Sequence, residues 1–225
     1  MSLSGARTPI AILSREPVAR KGVKADPFIS RVQIGNRQLV LFEKRYPLNV
    51  DENGRMRFLR EHPRELARRS LEVYSRLKKA GVRVPATYRW VEHPDGRCSL
   101  LQTDLSYGGK RVVASMTHAY WDEIPRISNL REVVSQIKAD IRTAAKQNLL
   151  LKSDEWMLSI DPNTGHAEVH AADFDSTYVD HWMASPSNVR VYASMPSSLA
   201  GKLKRIDGWA ADLRRAYRDR EEDAR

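Results

Sequence analysis

A predicted β-hairpin near the N-terminus is the feature that most constrains the fold of this chain. Two runs rich in β-forming residues, 28–34 and 38–45, flank a short segment that contains Gly35 and Asn36. In the second run, apolar side chains alternate onto both faces, which is typical of a strand in the interior of a sheet. Because an interior strand needs a neighbour on each side, the N-terminal part of the chain must contain a larger sheet.

One helix and two further strands are predicted after this hairpin. Pro63 opens a helical pattern that continues to about Ala80, and Gly81 ends it. Strands are then expected near residues 87–92 and at 98–103, with a turn between them. The β-rich half is therefore interrupted by a single helix. The apolar stripe of this helix, at helical spacing, consists of Leu66, Ser70, Val73, Tyr74 and Leu77.

The remaining sequence predicts helices around a second hairpin. An amphipathic helix is indicated over residues 129–147, and a final helix with a break or weak point at Gly208 follows later. Short strands at 157–160 and 167–172 flank a turn. The chain is thus predicted to be an α+β protein. Its expected parts are an N-terminal segment at 1–22, a β-rich half at 23–105, and a helical half at 106–225 with a β-hairpin at about 157–172.

Composition limits the class of protein further. The 225 residues, 41% hydrophobic and 29% charged, suit one large domain or two small lobes. Cys98 is the only cysteine, so an intrachain disulfide is excluded and a reducing cytosol is expected. No stretch approaches the roughly 20 apolar residues that a membrane span needs. The net charge of +10 favours acidic partners, namely nucleic acid, anionic lipid or phosphorylated small molecules.

The order of these elements and three short motifs resemble the protein-kinase-like superfamily. The motifs are the hairpin that ends at Lys44, the helix that closes on residues 81–85, and Ala172-Asp173-Phe174-Asp175. The resemblance spans roughly residues 23–177 and is nearest to small atypical members: lipopolysaccharide (Kdo/heptose) kinases, RIO kinases and aminoglycoside phosphotransferases. It implies a two-lobed fold, with a β-rich N-lobe that holds one helix and a small, mainly helical C-lobe.

The resemblance also implies ATP and Mg²⁺ as cofactors and assigns roles to particular residues. Lys44 would contact the ATP phosphates, whose oxygens need cations during phosphoryl transfer. Asp173 would bind Mg²⁺, which favours carboxylate oxygens, with Asp175 as an auxiliary ligand. Asp154 would orient the acceptor hydroxyl, and Glu65 would pair with Lys44.

The sequence departs from the family pattern in three places. Glu65 and Glu72 are the candidates for the helix glutamate, but both lie about 100° from the apolar stripe. The asparagine of the family's catalytic loop is replaced by Ser159 or by Met157, depending on the alignment. No Gly-x-Gly-x-x-Gly occurs, and residues 20–24 are the only segment that would cover a phosphate.

Three function classes follow from these observations. The first and favoured one is an ATP- and Mg²⁺-dependent kinase that phosphorylates a lipopolysaccharide core sugar or a protein hydroxyl. It would be cytoplasmic, with peripheral contact to the anionic inner membrane. The second is a catalytically inactive pseudokinase that acts as a binding or scaffold module. The third is a basic nucleic-acid-binding protein, whose affinity would fall steeply with salt.

Overall fold

The computed structural model shows a mixed α+β protein, as the sequence predicts. It describes residues 9–18, 25–46, 63–116, 124–151, 155–174, 178–179 and 199–223. Within these ranges the chain forms a five-stranded antiparallel sheet, a three-stranded antiparallel sheet, a two-stranded pair and three helices. The chain divides into two compact units. Unit 1 comprises Met1–Leu71 and Ala86–Asp104, and unit 2 comprises Glu72–Pro85 and Leu105–Arg225.

Unit 1 is built on the five-stranded sheet. Its strands are β1 (Ile10–Pro17), β2 (Asp26–Ile34), β3 (Arg37–Tyr46), β4 (Tyr88–Glu92) and β5 (Cys98–Thr103), in the spatial order β1-β2-β3-β5-β4. The predicted hairpin is formed by β2 and β3. Because β3 lies between β2 and β5, the prediction of an interior strand is confirmed. Strand β1 was not predicted, since its polar C-terminal end shows no alternation, and five of its eight residues are exposed.

A bulge in β1 decides which of its side chains face the interior of unit 1. Ile12 pairs with Val32, but after the bulge Arg15, and not Ser14, pairs with Ser30. Because directly opposite residues share a face, the extra residue turns Arg15 toward the face that carries Val32. The apolar part of this face consists of Val32, Leu41 and Leu101, with Ile10, Ile12, Ile34, Leu39 and Val91 packed against them.

Helix α1 (Pro63–Lys79) has nearly the predicted bounds. The chain leaves it at Gly81, which has a φ of 82° in the left-handed region where glycine carries no steric penalty. The amides of Gly81 and Val82 donate to the carbonyls of Lys78 and Leu77 and so satisfy the end of the helix. The predicted apolar stripe is buried at every position, namely Leu66, Ser70, Val73, Tyr74 and Leu77.

Unit 2 combines two helices with the smaller sheets. The helices are α2 (Leu130–Lys146) and α3 (Leu199–Asp223), which pack against each other. Strands β6 (Val112–Ser115), β8 (Trp156–Ile160) and β9 (Ala167–Ala171) form the three-stranded sheet in that order, and β7 (Leu149–Leu150) pairs with β10 (Tyr178–Val179). The predicted helix at 129–147 and the second hairpin are confirmed. The predicted break is wrong, because α3 continues through Gly208.

The interior of unit 2 lies where α2 covers the three-stranded sheet. Alternate residues of β8, Trp156, Leu158 and Ile160, are buried, as are Ile137 and Ala144 of α2. In the part of the chain that the structure describes, no helix is both long enough and apolar enough to cross a membrane.

Candidate functional site

The predicted site residues are distributed over both units. Asp154 and Asp175 lie outside the described residues, whereas Lys44, Glu65 and Asp173 lie within them. Lys44 and Glu65 belong to unit 1, and Asp173 belongs to unit 2. The predicted phosphate-covering segment 20–24 is also outside the described residues, in the connection between β1 and β2.

Lys44 lies near the end of β3, on the face opposite Glu43. Because side chains alternate along a strand, Val40 and Phe42 share the face of Lys44. Val40 is 48% exposed, contrary to the expectation that β3 is buried on both faces. Phe42 is partly buried and pairs with Ile29 of β2. Unit 1 therefore carries a partly open apolar strip along β3 that ends at Lys44.

Glu65 lies in the first turn of α1 and forms a local ion pair. Its carboxylate is 2.8 Å from the guanidinium of Arg68, and both side chains are more than half exposed. Such a pair between exposed side chains three residues apart stabilises a helix only slightly. The other candidate, Glu72, is 3.7 Å from Arg76 on the same helix. The structure thus shows a surface contact for each acid, and the pairing of Glu65 with Lys44 stays a prediction.

Asp173 follows β9 in an unusual backbone conformation. Its φ is 65°, in the left-handed region that residues other than glycine rarely adopt. The neighbours on both sides, Ala172 and Phe174, are completely buried, and the Ala172 amide donates to the carbonyl of Glu155 at 2.8 Å. A left-handed residue with a side chain costs about 1–2 kcal/mol. Strain of this kind persists where the surrounding structure imposes it, and it occurs preferentially at functional sites.

Both residues that align with the family's loop asparagine lie on β8. Ser159 is completely buried, and its hydroxyl donates to the carbonyl of Leu105 at 2.6 Å. Met157 pairs with His170 of β9 and carries only a thioether, which is a poor ligand for Mg²⁺. Ser159 therefore serves the packing of unit 2, and Met157 has no oxygen to offer as a ligand.

A buried acid of unit 1 with three hydrogen-bond donors around it was not predicted from the sequence. Glu43 is fully buried, and its carboxylate accepts hydrogen bonds from Arg15 Nε at 2.9 Å, from Ser30 Oγ, and from Ser99 Oγ at 2.6 Å. Burial raises the pKa of the Glu43 carboxyl, but the three hydrogen bonds together lower it more, so the pKa lies below its ordinary value. The carboxylate is therefore held in its ionised form by donors from three other strands.

His93, in the turn between β4 and β5, extends this cluster. Its Nε2 is 2.7 Å from Ser99 Oγ, 3.7 Å from Glu43 Oε1 and 3.5 Å from Arg15 Nη2. Burial and the charge of Arg15 hold the pKa of His93 below its ordinary value. We call these residues the Glu43 network: Arg15, Ser30, Glu43, His93 and Ser99. An acid on the core face of a predicted interior strand was the one available sequence signal for the network.

Unit 2 contains two buried titratable side chains with unsatisfied atoms. Asp140 of α2 accepts a hydrogen bond from Gln136 through Oδ1, while its Oδ2 has no partner among the described residues. Neither ring nitrogen of His170 is hydrogen-bonded in the described structure, although Nε2 is 3.7 Å from Glu168. Burial raises the pKa of Asp140 and lowers the pKa of His170, because it penalises the charged form of each side chain. Across the described ranges, no three His, Cys, Asp or Glu residues are grouped to hold a metal.

Comparison with models of known protein families finds no match to this chain, and no curated protein matches its sequence. Similarity therefore assigns no family and transfers no function. The candidate functional site rests on two features that the structure describes separately. These are the strip that ends at Lys44 in unit 1 and the left-handed Asp173 in unit 2.

Proposed function

We propose that the chain is an ATP- and Mg²⁺-dependent phosphotransferase with a protein-kinase-like, two-lobed fold. Unit 1 corresponds in this proposal to the β-rich N-lobe, and unit 2 to the small C-lobe. The observation that carries the proposal is the left-handed φ of 65° at Asp173, directly after a buried strand and within the motif that resembles the family. The position of Lys44 on the interior strand β3 supports it.

Unit 1 has the chemistry that a nucleotide requires. Cofactor sites are mostly apolar surfaces with a few polar groups that fix orientation. Val40, Phe42 and Ile29 provide an apolar surface on which the flat faces of a purine base would pack. Lys44, at the end of the same strip, would place an ammonium on the phosphate oxygens, where a compact positive charge suits a phosphate. Segment 20–24, with Arg20, Lys21 and Lys24, would cover the phosphates.

The residues that would hold the metal are acids at the end of β9. Mg²⁺ is a hard cation that prefers carboxylate oxygens, so Asp173 fits it, and Asp175 would be the auxiliary ligand. When bound, Mg²⁺ neutralises negative charge on the phosphate oxygens. Asp154 would orient the acceptor hydroxyl and receive its proton as the hydroxyl oxygen attacks the terminal phosphorus, whose bond to the bridging oxygen breaks so that ADP leaves. The acceptor would be a lipopolysaccharide core sugar or a protein hydroxyl, and the net charge of +10 suits an anionic acceptor.

A second function is favoured by one observation in unit 2. The hydroxyl of Ser159 donates to the carbonyl of Leu105, and Met157 has no oxygen to offer, so the family's second metal-binding side chain has no counterpart on β8. A chain of this kind would bind a nucleotide without transferring its phosphoryl group. We therefore carry an inactive pseudokinase, acting as a binding or scaffold module, as the alternative.

Thermal unfolding with and without ATP and Mg²⁺ tests nucleotide binding. A ligand at about 100 times its dissociation constant adds about 2.7 kcal/mol of stability. For a chain of this size the midpoint should rise by about 5–10 °C. Asp173→Asn removes the charge but tolerates the left-handed conformation, so we expect it to fold and to lose the Mg²⁺-dependent rise. Asp212→Asn, on the exposed face of α3, is the matched control and should keep the rise.

Phosphoryl transfer separates the two proposed functions. ATP consumption should depend on an alcohol acceptor and disappear in Asp173→Asn if the chain is a phosphotransferase. Binding of ATP without turnover on any acceptor would favour the pseudokinase. The absence of any shift at millimolar ATP would refute both. Salt-sensitive binding of nucleic acid in that case would support the third class.

A further inference from the structure

We propose that protonation of His93 weakens the attachment of the edge strand β1 to the sheet of unit 1. This proposal rests on the Glu43 network alone and does not depend on the proposed function. Among the strands that the structure describes, β1 pairs only with β2 and lies at the edge of the sheet. Edge strands are the least secured strands of a sheet, so a side-chain contact that reaches beyond the neighbouring strand contributes noticeably to their attachment.

Arg15 makes such a contact. Its Nε donates to Glu43 Oε2 at 2.9 Å, which connects β1 to β3 across the intervening strand β2. The Glu43 side chain is fully buried, whereas the Arg15 side chain is 27% exposed. Arg15 is therefore the charged member of the pair that can move into water, and its departure would remove this contact from β1. Burial makes the pair sensitive to any additional charge, because the local dielectric is low.

The hydrogen bonds of Ser99 select one tautomer of the neutral His93 ring. The Ser99 hydroxyl donates its only hydrogen to Glu43 Oε1. In its contact with His93, Ser99 Oγ must therefore accept a hydrogen bond from Nε2–H. The neutral ring thus carries its hydrogen on Nε2, and Nδ1 is the atom that protonation would charge. In the resulting imidazolium, Nε2 would lie 3.5 Å from Arg15 Nη2, so two cationic groups that can only donate hydrogen bonds would face each other.

Charged groups face His93 from each neighbouring element, and they do not favour the imidazolium on balance. Arg15 of β1 and Arg45 of β3 oppose it, while Glu43 of β3 and Asp95 of the turn favour it. Arg45 and Asp95 form an ion pair with each other at 2.8 Å, so their effects on His93 largely cancel. Burial and Arg15 outweigh Glu43, and the pKa of His93 is lowered. Protonation is therefore easier once β1 has separated and the ring meets water.

Amide hydrogen exchange of β1 measures the proposed effect. The open form takes up the proton near the ordinary histidine pKa of about 6.5, whereas the closed form resists it to lower pH. The opening equilibrium constant should therefore rise by up to about tenfold for each pH unit below about 6.5. We expect the protection factors of the β1 amides that are hydrogen-bonded to β2 to fall by up to about tenfold between about pH 6.5 and 5.5. Those of α3, in unit 2, should not change.

The variant His93→Gln tests whether this histidine is the cause. Glutamine keeps an amide N–H that can donate to Ser99, but it cannot be protonated in this range, so β1 protection should become independent of pH. His166→Gln is the matched control, because His166 is an exposed histidine of unit 2, and it should keep the wild-type pH dependence. An equal fall of protection in His93→Gln and wild type would overturn the proposal, as would constant protection in the wild type.

A measurement on the wild-type protein covers the case in which His93→Gln does not fold. The imidazole signals of His93 can be titrated by NMR alongside the β1 amides. We expect the ring of the folded protein to titrate below about pH 6.5, at the pH where the fall of β1 protection levels off. A His93 midpoint at or above about pH 6.5, or constant β1 protection between that pH and the His93 midpoint, would refute the proposed coupling.

Discussion

Gly165, in the turn between β8 and β9, is the glycine where one added methyl group should destabilise unit 2 most. Its φ is 68°, and a Cβ there would overlap the carbonyl oxygen of Arg126 and come within 3.4 Å of the Ser128 amide nitrogen. The Arg126 backbone cannot withdraw freely, because the Ser128 amide donates to the Gly165 carbonyl at 3.0 Å. Gly165→Ala therefore combines a conformational penalty with a steric one, in the hairpin that leads to Asp173.

The two penalties can be estimated separately. The left-handed conformation costs alanine about 1–2 kcal/mol. Overpacking against a restrained neighbour adds about 1–3 kcal/mol. The lower entropy of the unfolded alanine chain offsets about 0.4–1 kcal/mol. We expect Gly165→Ala to lose about 2–4 kcal/mol of unfolding free energy. Gly81→Ala is the matched control, because Gly81 has a φ of 82° but no atom within 4 Å of the added Cβ.

Urea unfolding followed by circular dichroism provides the comparison. Both glycines belong to unit 2, so the same transition reports on both variants. Gly81→Ala should lose only about 1 kcal/mol, which is the conformational penalty after the entropic offset. The urea midpoints should shift while the slopes stay equal, since the exposed surface does not change. An equal loss in the two variants would refute the reasoning, because it would show that the backbone of Arg126 yields without cost.

Three further predictions concern single residues. Gly208→Ala should raise the unfolding free energy by about 0.5–1 kcal/mol, because Gly208 lies inside α3 with open space around the added Cβ, and a loss in the same urea experiment would contradict this. Burial raises the pKa of the Cys98 thiol to about 11, so a thiol reagent at neutral pH should label only unfolded chains, and labelling at the rate of a free thiol would contradict the structure. The pKa of Glu43 lies below its ordinary value of 4.5, so its contribution to stability is complete above that pH and is lost as the pH falls through the folded-state pKa. Glu43→Gln should be less stable at neutral pH and show a flatter acid unfolding profile, whereas a profile identical to that of the wild type would refute the role of the carboxylate.

The regular elements were largely predictable because their signals are local. The helices α1 and α2 follow from apolar spacing and from the residues at their ends, and both hairpins follow from β-rich runs around turns. Predictions failed where a local rule was overridden. Gly208 lowers helix propensity, yet α3 continues through it, because neighbouring turns bury Ile206, Ala210 and Leu213. Packing of that face outweighs the cost of one glycine.

Part of the candidate site was likewise predictable from the sequence, and part was not. The motif at residues 172–175 is visible in the sequence, and so is the alternation that places Val40, Phe42 and Lys44 on one face of β3. The left-handed conformation of Asp173 was not predictable, because no local pattern signals it and its neighbours Ala172 and Phe174 become buried only on folding. The engagement of Ser159 with Leu105, 54 residues away, likewise appears only after folding.

The sequence by itself determined the α+β class, the bounds of most helices and strands, and the residues that face the same side of each element. These properties depend on the few residues around each position, through periodicity and turn chemistry. Only the tertiary structure decided that a bulge turns Arg15 toward Glu43, 28 residues away, and that Ser99, 56 residues away, completes the carboxylate's hydrogen bonds. Strand pairing and burial join residues that are distant in the sequence, so no local pattern contains their geometry.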